Sequence, residues 1–195
     1  ITRIVELTAV RTPDFGYRNL TTEEILRETW LQPHFVTPDG GLKSCVQAFV
    51  VESQGRRIVV DTCVGNDKPR GNAAWNELRG TFLDDLSAAG YPPESIDIVL
   101  CTHLHVDHVG WNTTLSGGRW LPTFTNARYL FGRTEWEHWQ QETVAAIAGD
   151  VDLEIAEAVM DCPAVNQDSI RPIIAAGLEE LVEVDHQVTE EVRLE

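Results

Sequence analysis

Within the stretch 102–112, His103, His105, Asp107 and His108 gather three of the six histidines and a carboxylate into six residues. Imidazole and carboxylate suit divalent borderline ions, zinc first, with iron, manganese or cobalt also compatible. Alternate residues of an extended or loop backbone point the same way, so His103 and His105 can reach one ion. Asp107 and His108 lie on the next part of the turn and address a second position. One ion wants about four ligands, and four residues this close rarely wrap one ion. The spacing therefore favours two ions about 3.5–4 Å apart sharing an oxygen. Such a pair lowers the pKa of bound water from about 15.7 to near 7, giving a metal-bridging hydroxide, and polarises a carbonyl or phosphoryl oxygen. Asp107 is the candidate catalytic residue, able to ligate and also to orient or pass a proton to the leaving group. The bland alternative is a set of satisfied core histidines. Three imidazoles and a carboxylate at one strand end would be hard to satisfy that way.

The elements that must position these residues follow from local pattern. The apolar, β-branched run 96–101 reads as a buried strand, so the cluster falls where a strand ends, as sites of open α/β sheets do. A strand is expected over 2–12. Thr21 to Glu24 has capping-box form and opens a short helix carrying Ile25, Leu26 and Trp30, ending before Pro33. Runs 45–51 and 57–62 read as strands joined through Ser53-Gln54-Gly55, which is hairpin chemistry. Asp61 stands at the mouth of the second run. It either caps the following turn or answers to a partner, since an ionised carboxylate there needs one. Residues 65–80 form a long polar loop with Trp75 at its middle, and long loops often border sites. Phe82, Leu83, Leu86 and Ala89 mark a helix stopped by Gly90 and Pro92-Pro93. Beyond the cluster, 115–119 is a turn and 127–131 a strand. Thr134 to Glu137 again has capping-box form and opens a helix carrying Trp136 and Trp139. Helices are expected near 152–160 and over 168–176, the latter with Pro172 in its first turn and Gly177 at its end. Strands follow at 181–184 and 188–194. His34, His138 and His186 read as loop or surface residues.

The chain has 195 residues, enough for one domain with a sizeable core, and a net charge of -16. That surface would repel a polyanion, which argues against a nucleic-acid partner. No stretch approaches about 18 consecutive apolar residues, so no membrane span is expected. Cys45, Cys63, Cys101 and Cys162 form no CxxC pair, and each lies in or beside an apolar run. They read as buried reduced thiols, which with the absence of a visible leader favours the cytoplasm. The first residue is Ile1 rather than Met, which leaves export open. Trp111, Trp75 and Trp30 are candidates to line an apolar substrate pocket, with a core role the alternative for each.

At these residues the chain resembles the metallo-β-lactamase-fold hydrolases, whose signature is H-x-H-x-D-H. The match extends upstream to Asp61 in Val59-Val60-Asp61-Thr62, and downstream to Gly110 and Asn112. Val60-Asp61-Thr62, Gly65-Asn66-Asp67-Lys68 and His108-Val109-Gly110-Trp111-Asn112-Thr113 look most like the lactonase and methyl-parathion-hydrolase-like branch. The resemblance implies an α/β (α+β) fold, an αβ/βα four-layer sandwich of two similar halves with the metals at the edge between the sheets. Residues 1–195 would be a single domain, the N-terminal half and the start of the second. His103 and His105 would hold the first ion, Asp107 and His108 the second, and Asp61 would brace a ligand. A small-molecule substrate is implied, and a homodimer is compatible. Cys63 stands where the family carries glycine. The family's Gly-His turn, bridging aspartate and last histidine have no counterpart here, and are expected beyond Glu195. The implied reaction is hydrolysis of a lactone, ester or phosphotriester. Other readings are a glyoxalase II-like thioesterase, which needs a glutathione-binding region, a diiron oxygen or nitric-oxide reductase, which needs a flavin module, and a non-catalytic fragment. A true β-lactamase is disfavoured because His108 follows Asp107.

Overall fold

The structure is a computed structural model that describes residues 1–13, 20–148 and 162–183, with backbone alone for 142–148 and 162–163. Its elements are β1 (Thr2–Arg11), α1 (Thr22–Arg27), β2 (Leu42–Ser53), β3 (Arg56–Val60), α2 (Phe82–Ala88), β4 (Ile98–Leu100), β5 (Thr113–Ser116), β6 (Arg119–Pro122), β7 (Arg128–Gly132), α3 (Arg133–Ala148), α4 (Cys162–Val165), α5 (Arg171–Ala175) and β8 (Glu179–Val182). Six strands form one mixed sheet in the order β1-β2-β3-β4-β7-β8. The first three pair antiparallel, and β3, β4, β7 and β8 run parallel. The α/β architecture is thus present, as a helical layer on a six-stranded sheet.

Alternation along the strands sets the two faces of that sheet. Ala48, Val50, Val59, Val99, Tyr129 and Phe131 join one core cluster with Phe82 and Leu86 of α2, Trp136 of α3 and Ile173 of α5. Ile58, Ile98 and Leu130 form a second cluster, with Val51, Val60 and Leu100 packed against it. Apolar residues on both faces are what parallel strands need when neither face is left to water. Burying each large side chain contributes about 1.5–3 kcal/mol.

The local signals hold in most places, with changed bounds. Thr21 caps α1 through a full capping box with Glu24. Gly90 ends the α2 turn with φ +95°. Trp30 lies outside α1, on a 3-10 turn (Thr29–Leu31), because the helix stops at Arg27. The strand expected over 96–101 is only Ile98–Leu100, flanked by irregular chain. The turn expected over 115–119 is confined to Gly117 and Gly118, both with positive φ, between the antiparallel strands β5 and β6. Such a two-residue turn matches strand twist. The helix expected over 168–176 begins at Cys162 and passes through a π-helical turn (Asn166–Ile170) before α5. Cys45 is exposed, contrary to expectation, because it sits near the open end of the edge pair β1–β2, whereas Cys63 and Cys101 are buried. The expected 152–160 helix, the 188–194 strand and His186 lie outside the described residues. Among the described residues no helix is long and apolar enough to cross a membrane.

Charges supply a further part of the interior. Lys68 is 0% exposed and Arg70 and Asp168 are 6% and 4% exposed. Arg70 clasps Asp168 with two hydrogen bonds, 2.7 and 3.0 Å, joining the 65–80 loop to the π-helical turn. The Lys68 ammonium lies 3.6 Å from Asp168 Oδ1 and 3.7 Å from the centre of the Trp120 ring, and donates to Thr113 Oγ1 at 2.8 Å.

Candidate metal centre

The parallel pairing of β3 with β4 sets Val60 beside Leu100, so both strands deliver their next residues to the same sheet edge. Asp61 turns there with φ +59°. Its carboxylate accepts the Thr102 backbone N–H at 2.8 Å, the Thr102 hydroxyl at 2.9 and 3.0 Å, and His108 Nδ1 at 2.9 Å. An ionised carboxylate only accepts, so His108 carries its proton on Nδ1 and turns Nε2 outward as a lone pair. The single Thr102 hydroxyl proton is committed to Asp61, so toward His103 Nδ1, 3.1 Å away, that oxygen accepts. His103 too is left with Nε2 as its free donor atom. One carboxylate thus orients two of the three imidazoles, one directly and one through a hydroxyl.

The remaining chain is held by backbone. His108 N–H donates to His105 O at 3.0 Å, closing a turn. Thr62 N–H reaches His108 O, Trp111 N–H reaches Thr62 O and Gly110 N–H reaches Cys63 O, each at 2.7 Å. Segments 61–65 and 108–112 are thereby zipped together. Gly110 is required at the crossing: a Cβ there would stand 1.8 Å from Val64 O. Cys63 has φ +53°, a left-handed conformation that glycine adopts without steric cost. The turn survives the cysteine, and no donor atom is lost.

The three rings lie against one another, His103 to His105 at 4.4 Å and His103 to His108 at 3.8 Å between centroids. Burial, then the neighbouring imidazoles, pull the pKa of His103 below its ordinary value. Burial likewise leads for His105, whose pKa is also lowered. For His108 burial pulls the same way, but the Asp61 hydrogen bond and the charges of Asp107 and Asp61 outweigh it, and the pKa is raised. The donor set fits a divalent ion in kind: two imidazoles kept neutral, a third with Nε2 free and a carboxylate, Asp107, 3.6 Å from that Nε2. Among the described residues no group of three or more His, Cys, Asp or Glu forms a metal cage. The contact of His103 with both other rings does not divide the cluster into pairs.

Two further carboxylates serve the loop, and sequence reading passed over both. Glu135, at the start of α3, accepts Leu104 N–H at 3.0 Å and Trp139 Nε1–H at 2.7 Å. Glu6 accepts Val64 N–H at 2.8 Å, Gly65 N–H at 3.0 Å and Trp111 Nε1–H at 2.6 Å. Burial pushes the Glu6 carboxyl up against the pull of these three donors. Only the break in strand alternation around Glu6 could have marked it.

The three tryptophans proposed as a pocket are not brought together. Trp111 is 4% exposed and stacks on Phe82 at 5.6 Å, inside the core. Trp30 is 67% exposed and meets Phe35 edge-on. Trp75, half-buried, lines a hollow along β1 and β2 with Leu7, Ala9 and Val46. The aromatic beside the histidines is Trp139, 5.7 Å from the His105 ring, and it lines a small apolar cavity with Leu104, Trp136, Val165 and Ile170.

Comparison with known proteins agrees with this architecture. The family profile described as the metallo-beta-lactamase superfamily matches residues 46–190. The N-acyl homoserine lactonase AiiA of Bacillus thuringiensis subsp. kurstaki is 26% identical over 117 residues, 52% of this chain and 42% of the lactonase. The chain therefore spans less than half the length of the curated relatives it matches. Among solved structures, the hydrolase AbOPH of the beta lactamase superfamily superposes with a TM-score of 0.63 at 21% identity, over 95% of this chain and 58% of that one. AidC, a dizinc quorum-quenching lactonase in complex with a product, gives 0.60 at 17% identity, over 95% and 58%. With the H-x-H-x-D-H loop at the sheet edge and the profile covering most of its length, the chain belongs to the metallo-β-lactamase superfamily.

Proposed function

We propose that this chain carries one side of a dinuclear metal site in a hydrolase of small lactones, esters or phosphotriesters. His103 and His105 would hold one ion and Asp107 and His108 the other. Zinc is the ion these donors suit best. The observation that carries the reading is the Asp61 brace, which leaves Nε2 free on both His103 and His108 at the mouth of two parallel strands. Structural metal-binding histidines and catalytic ones are alike oriented in this way, by a carboxylate on the far nitrogen. When bound, the ions supply water of lowered pKa and polarise the scissile carbonyl or phosphoryl group. Asp107, partly exposed and 3.6 Å from His108 Nε2, would orient the leaving group or pass it a proton. The apolar walls at Trp139, Trp136 and Leu104 would exclude water next to His105. The likeness to N-acyl homoserine lactonases supports a lactone as the substrate to try first.

The test uses the full-length protein, metal analysis and a panel of lactones, aryl esters and phosphotriesters. His105→Ala and Asp107→Asn should each abolish hydrolysis, with loss of bound metal in His105→Ala. Near wild-type rates in either variant, or a full-length protein holding no zinc, iron, manganese or cobalt, would refute the reading.

A further inference from the structure

We infer that Glu6 is a positioning residue for the Asp107–His108 arm of the site, acting through the zipped segments 61–65 and 108–112. The register of β1 on β2 shifts between Val5, which pairs with Gln47, and Leu7, which pairs with Val46, so Glu6 is left without a partner in the ladder. A bulge of this kind re-aims one side chain and is common beside active sites. Here it sends a carboxylate off the sheet edge to three N–H donors on two segments, 58 and 59 residues away for Val64 and Gly65 and 105 away for Trp111.

Those donors lie at the two strands of the zipper. Val64 and Gly65 follow Asp61 by three and four residues, and Trp111 follows His108 by three. Gly65 and Gly110 are in close backbone approach: a Cβ on Gly65 would stand 2.8 Å from Gly110 C. Glu6 spans that crossing from outside and fixes Trp111, whose ring is clamped on Phe82. The backbone between Trp111 and His108 is short, and Thr62 N–H holds His108 O directly. The position of His108 is therefore set from three sides: by Asp61 on its ring, by Thr62 on its carbonyl, and by Glu6 on the turn that follows. His103 and His105 precede this turn and are held instead by Thr102 and by Glu135 through Leu104. Glu6 thus acts directly on the later arm, and reaches His105 only at one remove, through the His108 N–H on the His105 carbonyl.

This inference rests on the metal-hydrolase reading for its consequence and on the Glu6 geometry for its cause, and the test separates the two. Full-length wild type, Glu6→Gln and Glu6→Asp are titrated with zinc against a competing chelator, and their unfolding is followed by heat. Gln keeps the size but turns an amide donor toward an N–H donor. Asp keeps the charge but withdraws it by one methylene. In both variants one of the two zincs should lose about tenfold or more in affinity, the size typical of losing such outer support, while the other moves less than twofold. Equal weakening of both ions, or none, overturns the inference. If wild type binds no zinc, the hydrolase reading fails. Amide exchange then decides on Glu6: His108, Gly110 and Trp111 amides exchanging about tenfold faster in Glu6→Gln support the brace, and unchanged exchange overturns it.

Discussion

Replacing Asp168 by Asn tests whether the buried charges organise the fold or merely occupy it. In the native structure one carboxylate answers two cations. Arg70 takes both its oxygens, at 2.7 and 3.0 Å, Ser169 donates to Oδ1 at 2.6 Å, and Lys68 stands 3.6 Å away. Thr113 donates to the Asp168 backbone carbonyl, so the segment stays in place when the side chain changes. The substituted amide would leave the buried Arg70 guanidinium without its counter-charge, beside Lys68, with one of the amide N–H groups aimed at a guanidinium. Removing one partner of a buried pair costs about 3–5 kcal/mol. Against a total stability of about 5–15 kcal/mol, that is a large share. For a chain of this size it lowers Tm by roughly 6–20 °C, at about 2–4 °C per kcal/mol. Lys68→Met behaves differently, because the Arg70–Asp168 pair survives it, and it should cost less than about 2 kcal/mol, the scale of a lost hydrogen bond and cation–π contact. The double variant Asp168→Asn with Lys68→Met should recover part of the loss, since one unpaired cation is gone. Urea and thermal unfolding of the three variants read these differences. A loss below about 1 kcal/mol for Asp168→Asn, or a Lys68→Met loss as large, would refute this account of a buried charge left uncompensated.

The same cluster sets a pH dependence. Burial, with Arg70 acting the same way and Asp168 opposing, pulls the Lys68 ammonium from 10.5 down to about 7. Between about 7 and 10.5 the unfolded chain holds a proton that the folded chain has released, so this group's contribution to stability rises with pH across that window and is flat below it. Comparing unfolding of wild type and Lys68→Met at pH 6 to 10 checks it, on the order of that window; parallel curves would sink the assignment. Gly110→Ala would drive a methyl into Val64 O at 1.8 Å, so the crossing must part. Overpacking of this kind costs about 1–3 kcal/mol or more, and the variant should unfold earlier and lose zinc affinity as well. An alanine variant with native Tm and zinc binding would show that the two segments are not locked together.

How much of this was legible beforehand depends on whether a feature is local. The H-x-H-x-D-H spacing is local, and so are the capping box at Thr21 and the stop at Gly90, and each was readable. The sheet was readable too, from short apolar runs rich in β-branched residues at 45–51, 57–62 and 96–101 and in aromatic ones at 127–131. Bounds slipped where pairing, not composition, decides them: β2 extends to Leu42 because β1 pairs with it that far. Asp61 could be noticed as a carboxylate at a strand mouth, yet its bond to His108 appears only once β3 and β4 are paired in parallel. Glu135 and Asp168 gave no local signal and Glu6 only a break in strand alternation, since an acidic residue on a strand or helix reads as surface in a chain of charge -16. For Trp111 a pocket wall and a core place both fit the sequence, and only packing decides: its ring stacks on Phe82 and its N–H is spoken for by Glu6.

The histidine loop is shaped by carboxylates that the chain brings from far away: Asp61 from 47 residues before His108, Glu6 from 105 before Trp111, and Glu135 from 31 after Leu104. A loop shaped in this way is not portable. Copied into another scaffold, residues 102–112 would carry the donor atoms without the acceptors that aim them. Their arrangement would also come late in folding, after β1, β3 and α3 have docked, because contacts so distant in sequence close large loops first. For protein engineering the transferable unit is therefore the strand edge together with the start of α3 and the three carboxylates they bring, and a motif match elsewhere is worth pursuing when equivalents of all three stand around it.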